Sequence, residues 1–235
     1  MMRDPSRPSA GSAPAVGAGY EPAPTPIRRG RRRRSTRLPG YDYSQPGAYF
    51  ITVCTQGRAC LFGDVVDGEM RLNRLGEMVQ WTWHDLPNHN ANIRLDAFVA
   101  MPNHVHGIIW IVDDPVIVVG ATVGAGSEPA PTEPDPTHRA HGLPEIVRQF
   151  KTFSARRINQ WRNTPGTAVW QRNYYEHIIR NEASLNRIRE YILTNPLRWA
   201  VDRENPAATS SDDFDRWLDT QGAIPILEVP NDLWR

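Results

Sequence analysis

The stretch "MPNHVHGIIWIV", Met101 to Val112, is an apolar run carrying two histidines, His104 and His106, one residue apart in its first half. Apolar, rich in β-branched residues and preceded by a Pro-Asn turn, it reads as a buried strand. Side chains alternate along a strand, so both imidazoles project from one face and Val105 from the other. Ile108, Ile109 and Trp110 then anchor the strand in the core. The spacing brings the two rings close enough to hold one metal ion; the plainer reading is a pair of polar residues on a solvated face. Two ligands do not complete a site, so a third has to come from elsewhere in the chain.

Working outward, "IRLDAFVA" (93–100) gives a strand before Met101-Pro102, and "AYFITVCTQ" (48–56) and "AVWQRNYYEHIIR" (168–180) give others. Leu72, Leu75, Met78, Val79 and Leu86 recur at helical spacing, as do Ile146, Phe150, Phe153 and Ile158. A third helix is expected over "NEASLNRIREYILTNP" (181–196), capped by Asn181 or Ser184 and stopped by Pro196. Short strands interleaved with helices predict an α+β fold: a single antiparallel sheet of about four to five strands with helices packed on it.

Residues 1–37 are rich in Pro, Gly, Ala, Ser and Arg without periodicity and read as a disordered arm. The domain is expected over 38–200, interrupted by a Pro/Gly-rich loop at 113–142, with 201–235 as a C-terminal tail. A hydrophobic content of 40% with eight Trp supports a true core, which excludes a wholly disordered chain. The two cysteines, Cys54 and Cys60, are too few for a disulfide scaffold and fit a reducing compartment. With no membrane-spanning run and no signal peptide, the expectation is a soluble cytoplasmic protein. The net charge of +1 hides an uneven distribution. Seven arginines, among them Arg31, Arg32, Arg33 and Arg34, crowd between Ile27 and Leu38, whereas "SDDFD" (211–215) is acidic. Such an arm suits phosphate oxygens, or is a solvated basic tail in an arginine-biased protein, since Lys151 is the only lysine.

On the third helix, Arg187, Tyr191 and Asn195 are spaced four apart and form one column, with Leu185, Ile188 and Ile192 as the buried stripe. Arginine, phenol and amide in a column make sense if a phosphate lies above them. The blander reading is a core tyrosine and a helix terminator before proline.

These residues carry a resemblance. "PNHVHG" matches the His-hydrophobe-His motif of the HUH endonuclease superfamily, and "YILTNP" is similar to the tyrosine helix of single-tyrosine transposases. Together with "LPGYDYSQPGAYFITVCTQGR" and "VWQRNYYEHIIRNEASLNRIREYILTNPLRW", they resemble the REP-associated tyrosine transposases, over about Arg37 to Trp199 without the loop. The resemblance implies a ferredoxin-like, RRM-like sheet, His104 and His106 as metal ligands, Asn195 as third ligand where the wider family often has glutamine, and Tyr191 as nucleophile. It implies a bacterial, nucleoid-associated protein, monomer or homodimer, acting on single-stranded or hairpin DNA; by charge and spacing, Arg187 and the arginine arm are the candidate phosphate contacts. Tyr174 and Tyr175 are rival nucleophiles of lower rank, and Glu176 and His177 are possible lining residues.

A phenol with a pKa of about 10 is a weak nucleophile at neutral pH and needs help from a cation. Two imidazoles and an oxygen ligand with open positions suit Mg²⁺ or Mn²⁺; the resemblance points to Mg²⁺. The expected products are a 5′-phosphotyrosine and a free 3′-hydroxyl, with strand joining by reversal. A non-catalytic hairpin-binding regulator on the same fold is the first alternative. A zinc hydrolase is the second, and no third ligand stands at metalloprotease spacing.

One pattern stands outside this chemistry. "VGAGYEPAPT" (16–25) recurs as "VGAGSEPAPT" (123–132). As protein it is a low-complexity linker, but each decapeptide can be encoded by an inverted DNA repeat, which would make the 113–142 loop an inserted passenger and not a lid.

Overall fold

The computed structural model describes residues 40–113, 141–210 and 212–221. The arginine arm with Arg31 to Arg34, and both decapeptides, lie outside the described residues.

Alternation drives the architecture. Strand β1 (Gly47–Cys54) is buried along its whole length, which requires cover on both faces. Its odd residues Tyr49, Ile51 and Val53 face one core and its even residues Ala48 and Phe50 face another. A hairpin follows, β2 (Gly63–Val66) and β3 (Glu69–Leu72), turned by Asp67 and Gly68, both at positive φ. Helix α1 (Arg74–His84) starts at Asn73, whose side chain accepts from the N–H groups of Leu75 and Gly76. Strands β4 (Ile93–Met101) and β5 (His104–Ile111), helix α2 (Leu143–Arg162), strand β6 (Tyr175–Ile179), and helices α3 (Glu182–Thr194) and α4 (Asp213–Gln221) complete the fold. The four-stranded sheet has the order β4-β5-β1-β6, antiparallel throughout.

The fold class is therefore the expected α+β sheet with packed helices, but helices lie on both faces. Helices α1 and α2 close one face through Val79, Trp83, Ile146 and Phe150; α3 and α4 close the other through Ile188, Tyr191, Ile192, Phe214 and Leu218. The first face explains a glycine beside the histidines: a Cβ at Gly107 would run into the indole of Trp83, which stacks on Phe98. The 168–180 stretch is strand only from Tyr175 onward; before it, Trp170 makes an isolated bridge to Thr55. Helix α3 opens on Asn181, which accepts from the N–H of Ser184. After Thr194 the chain does not turn away at Pro196 but tightens into a 3₁₀ turn, Asn195–Val201, where a proline in the first turn costs no helical hydrogen bond. Beyond that turn, Phe214 and Leu218 pack on the α3 face, so the stretch read as a tail shares the core of the domain.

Candidate metal and nucleophile site

Strand β5 points His104 and His106 at the face covered by α3 and α4, and both are buried. Their Nε2 atoms lie 3.0 Å apart. Each ring is held from behind. His104 Nδ1 lies 2.8 Å from Asn103 Oδ1, and His106 Nδ1 lies 2.9 Å from Thr52 Oγ1. The Asn103 amide nitrogen donates to the carbonyls of Glu204 and Arg58, so its oxygen must face the imidazole. An amide oxygen only accepts, so His104 Nδ1 carries the proton and its Nε2 presents a lone pair to the site. Two nitrogens 3.0 Å apart, one fixed as an acceptor, need a shared proton or a cation between them.

The third group comes from beyond the 3₁₀ turn. Asp202 Oδ2 lies 3.8 Å from His104 Nε2, and one ligand atom from each of His104, His106 and Asp202 falls within 4.8 Å of the others. Asp212, Asp215 and Glu204 are each paired with an arginine, namely Arg198, Arg203 and Arg58; among the described residues Asp202 meets none. Asn195, fully buried, donates its amide nitrogen to Asp202 Oδ2 at 3.0 Å, and its Oδ1 has no hydrogen-bond partner. A buried amide oxygen without a partner beside a carboxylate and two imidazoles suits a divalent cation as occupant. The contact Asn195 makes is to Asp202, a residue that sequence spacing did not single out. Asp202 does not stand at metalloprotease spacing in the sequence; it arrives through the fold.

Tyr191 stands opposite. Its hydroxyl lies 3.3 Å from His106 Nε2, and its ring packs flat on Phe214, 3.6 Å between centroids at 7°. Phe50 meets the same ring edge-on. Tyr191 is only 4% exposed, so the core tyrosine and the site tyrosine are one residue. Burial, followed by the negative charges of Asp202, Asp215, Asp212 and Glu204, holds its pKa well above the ordinary phenol range. Burial and the neighbouring carboxylates keep the phenol protonated; a cation among them would work the other way.

The remaining candidates are dispersed. Arg187 does not stand over the phenol: its guanidinium lies 4.5 Å from the Trp217 ring of α4, so it clasps the covering helix. Tyr175 shares the histidine face, since it and His106 both pair with Thr52, but it sits on the far side of β1. Tyr174 packs against the core of the opposite face. Glu176 pairs with Ile51 and also faces away, whereas His177 pairs with Phe50 and faces the site side. Burial, then the charge of Arg180, lowers the His177 pKa to about 4.

No protein-family model matches the chain. An uncharacterized protein of Haemophilus influenzae Rd is 40% identical over 173 residues, covering 73% of this chain and 92% of the relative. Among solved structures, a REP-associated tyrosine transposase bound to a REP hairpin is similar at 18% identity and a TM-score of 0.44, over 67% of this chain and 71% of that one. A candidate transposase of Deinococcus radiodurans R1 is similar at 18% identity and a TM-score of 0.36, over 67% of this chain and 95% of that one. Among the described residues, no helix is long and apolar enough to cross a membrane.

Proposed function

We propose that the chain, which belongs to the same family as the 40% identical Haemophilus influenzae protein, is a tyrosine transposase-type enzyme that cuts and rejoins single-stranded DNA at palindromic hairpins. One observation carries the reading: the Tyr191 oxygen stands 3.3 Å from His106 Nε2, itself 3.0 Å from His104 Nε2. The motif resemblance of "PNHVHG" and "YILTNP" supports it.

The Tyr191 oxygen bonds to the scissile phosphorus, the bond from phosphorus to the 3′ oxygen breaks, and the phenolic proton ends on that oxygen. The protein is left with a 5′-phosphotyrosine and the DNA with a 3′-hydroxyl. Attack by a 3′-hydroxyl on the same phosphorus reverses the step, so joining needs no further energy source. His104, His106 and Asp202 would hold a divalent cation, with Asn195 as orienting group and further oxygen donor. Mg²⁺ and Mn²⁺ both suit this set, and the two nitrogens tilt it towards Mn²⁺. When bound, such an ion polarises the phosphate and stabilises phenolate.

The chain's own residues do the positioning. Asn103 and Thr52 fix the imidazoles, and Phe50 and Phe214 fix the phenol ring. The motif resemblance implies that the strand at the cut is unpaired.

The test is incubation of the protein with a labelled single-stranded hairpin and Mn²⁺ or Mg²⁺, followed by a denaturing gel. A covalent band that disappears with chelator and in Tyr191→Phe is expected; a band that survives Tyr191→Phe would reject the assignment. The close cover of Phe214 over the phenol favours one second reading, a hairpin-binding regulator that no longer cuts. Tight hairpin binding without any adduct would select it.

A further inference from the structure

We propose that the gene of this protein carries, inside its coding sequence, two copies of the DNA hairpin that the protein binds, and that residues 16–25 and 123–132 are their translation. The inference rests on the function proposed above and gives that site its substrate.

The two decapeptides differ at a single position, Tyr20 against Ser127. Val-Gly-Ala-Gly is encoded by GTN GGN GCN GGN, and Pro-Ala-Pro-Thr by CCN GCN CCN ACN. Read as one strand folding back on itself, each copy can be encoded as a stem of about eleven base pairs around a loop of about seven nucleotides. In about eight of those pairs the amino acids fix both bases; every one is complementary, and all but one are G·C. The remaining pairs set one third-base position against another: Val16 with Pro24, Gly17 with Ala23, Ala18 with Pro22, and the same offsets in the second copy. The residue that differs between the copies is encoded in the loop, where pairing imposes nothing. A peptide kept for its own binding properties has no reason to obey these rules; a DNA element kept for its folding does.

The fold explains why the second copy is tolerated where it is. The chain leaves the described domain after β5 and returns just before α2, and Asn92 holds both ends. Its carbonyl accepts from the N–H of Val112 at 2.9 Å, and its side-chain amide donates to the carbonyl of His141 at 3.2 Å. With exit and return fastened to one residue, a connection of a few residues would close the loop, and extra length costs little. The first copy lies ahead of the domain altogether. Both copies therefore lie outside every strand and helix of the described residues, so an inserted element that keeps the reading frame breaks none of these.

The coding DNA is the first test. Complementary third bases at all six wobble pairs are expected, and mismatch at more than one of them in either copy overturns the inference. The second test titrates the full-length protein, in Mn²⁺, with single-stranded DNA of residues 16–25 plus ten flanking nucleotides on each side, using either strand. The control has both stem arms shuffled so that they still pair. Preference for the native hairpin by about tenfold or more is expected. Equal affinity for the two overturns this inference and leaves the proposed function standing; failure to bind any hairpin overturns both.

Discussion

Asn103 Oδ1 lies 2.8 Å from His104 Nδ1, and the amide nitrogen of the same Asn103 donates 2.8 Å to the Glu204 carbonyl. One side chain thus sets the tautomer of the His104 imidazole and ties the C-terminal stretch to the β4–β5 turn. Asn103→Ala is expected to weaken Mn²⁺ binding by about 10–100-fold, measured calorimetrically. It should also cost about 1–3 kcal/mol of stability, because buried carbonyls lose their donor. Unchanged Mn²⁺ affinity in the folded variant would show that the tautomer is set by something else.

The arrangement ranks two oxygen groups. Asp202 brings a charge and meets no arginine among the described residues, while Asn195 brings a neutral amide already engaged with Asp202. Asp202→Ala should therefore lose more Mn²⁺ affinity than Asn195→Ala. The reverse order would make the amide oxygen the principal third ligand.

Phe214 lies flat on the phenol it covers, at 3.6 Å between centroids. Phe214→Ala should form the covalent DNA adduct faster, although removal of a buried ring costs about 3–5 kcal/mol. A folded Phe214→Ala protein with a slower reaction would assign Phe214 to holding the nucleophile and not to barring the strand.

Burial of neutral His177 makes stability depend on pH. Its pKa falls from 6.5 to about 4 on folding, so between those values the unfolded chain binds a proton that the folded chain does not. Its contribution is intact above pH 6.5 and is lost as pH falls towards 4. Urea unfolding should show about 2 kcal/mol less stability at pH 5 than at pH 7 from this group, and His177→Gln should flatten that difference. An equal slope in the variant would assign the pH response to other groups.

The sheet and the histidine pair were legible because period-two alternation is a local property. Likewise, Leu185, Ile188 and Ile192 announced the buried side of α3. Asp202 was not legible: it follows a proline that reads as the end of structure, and only the 3₁₀ turn carries it back to His104. The contact that Arg187 makes was not legible for a related reason. Helical spacing put it in line with Tyr191, but Trp217, on a segment read as tail, captures its guanidinium. Asn103 sits within the recognisable motif, yet its role depends on Glu204 arriving from a hundred residues away in sequence.

The most direct test of the account is to find the tyrosine that carries the DNA. The adduct formed with a hairpin oligonucleotide would be trypsinised, nuclease-trimmed and mapped by mass spectrometry. The nucleotide is expected on Tyr191, in the peptide Glu190–Arg198. Its recovery on Tyr174 or Tyr175, in the peptide Asn173–Arg180, would contradict the account.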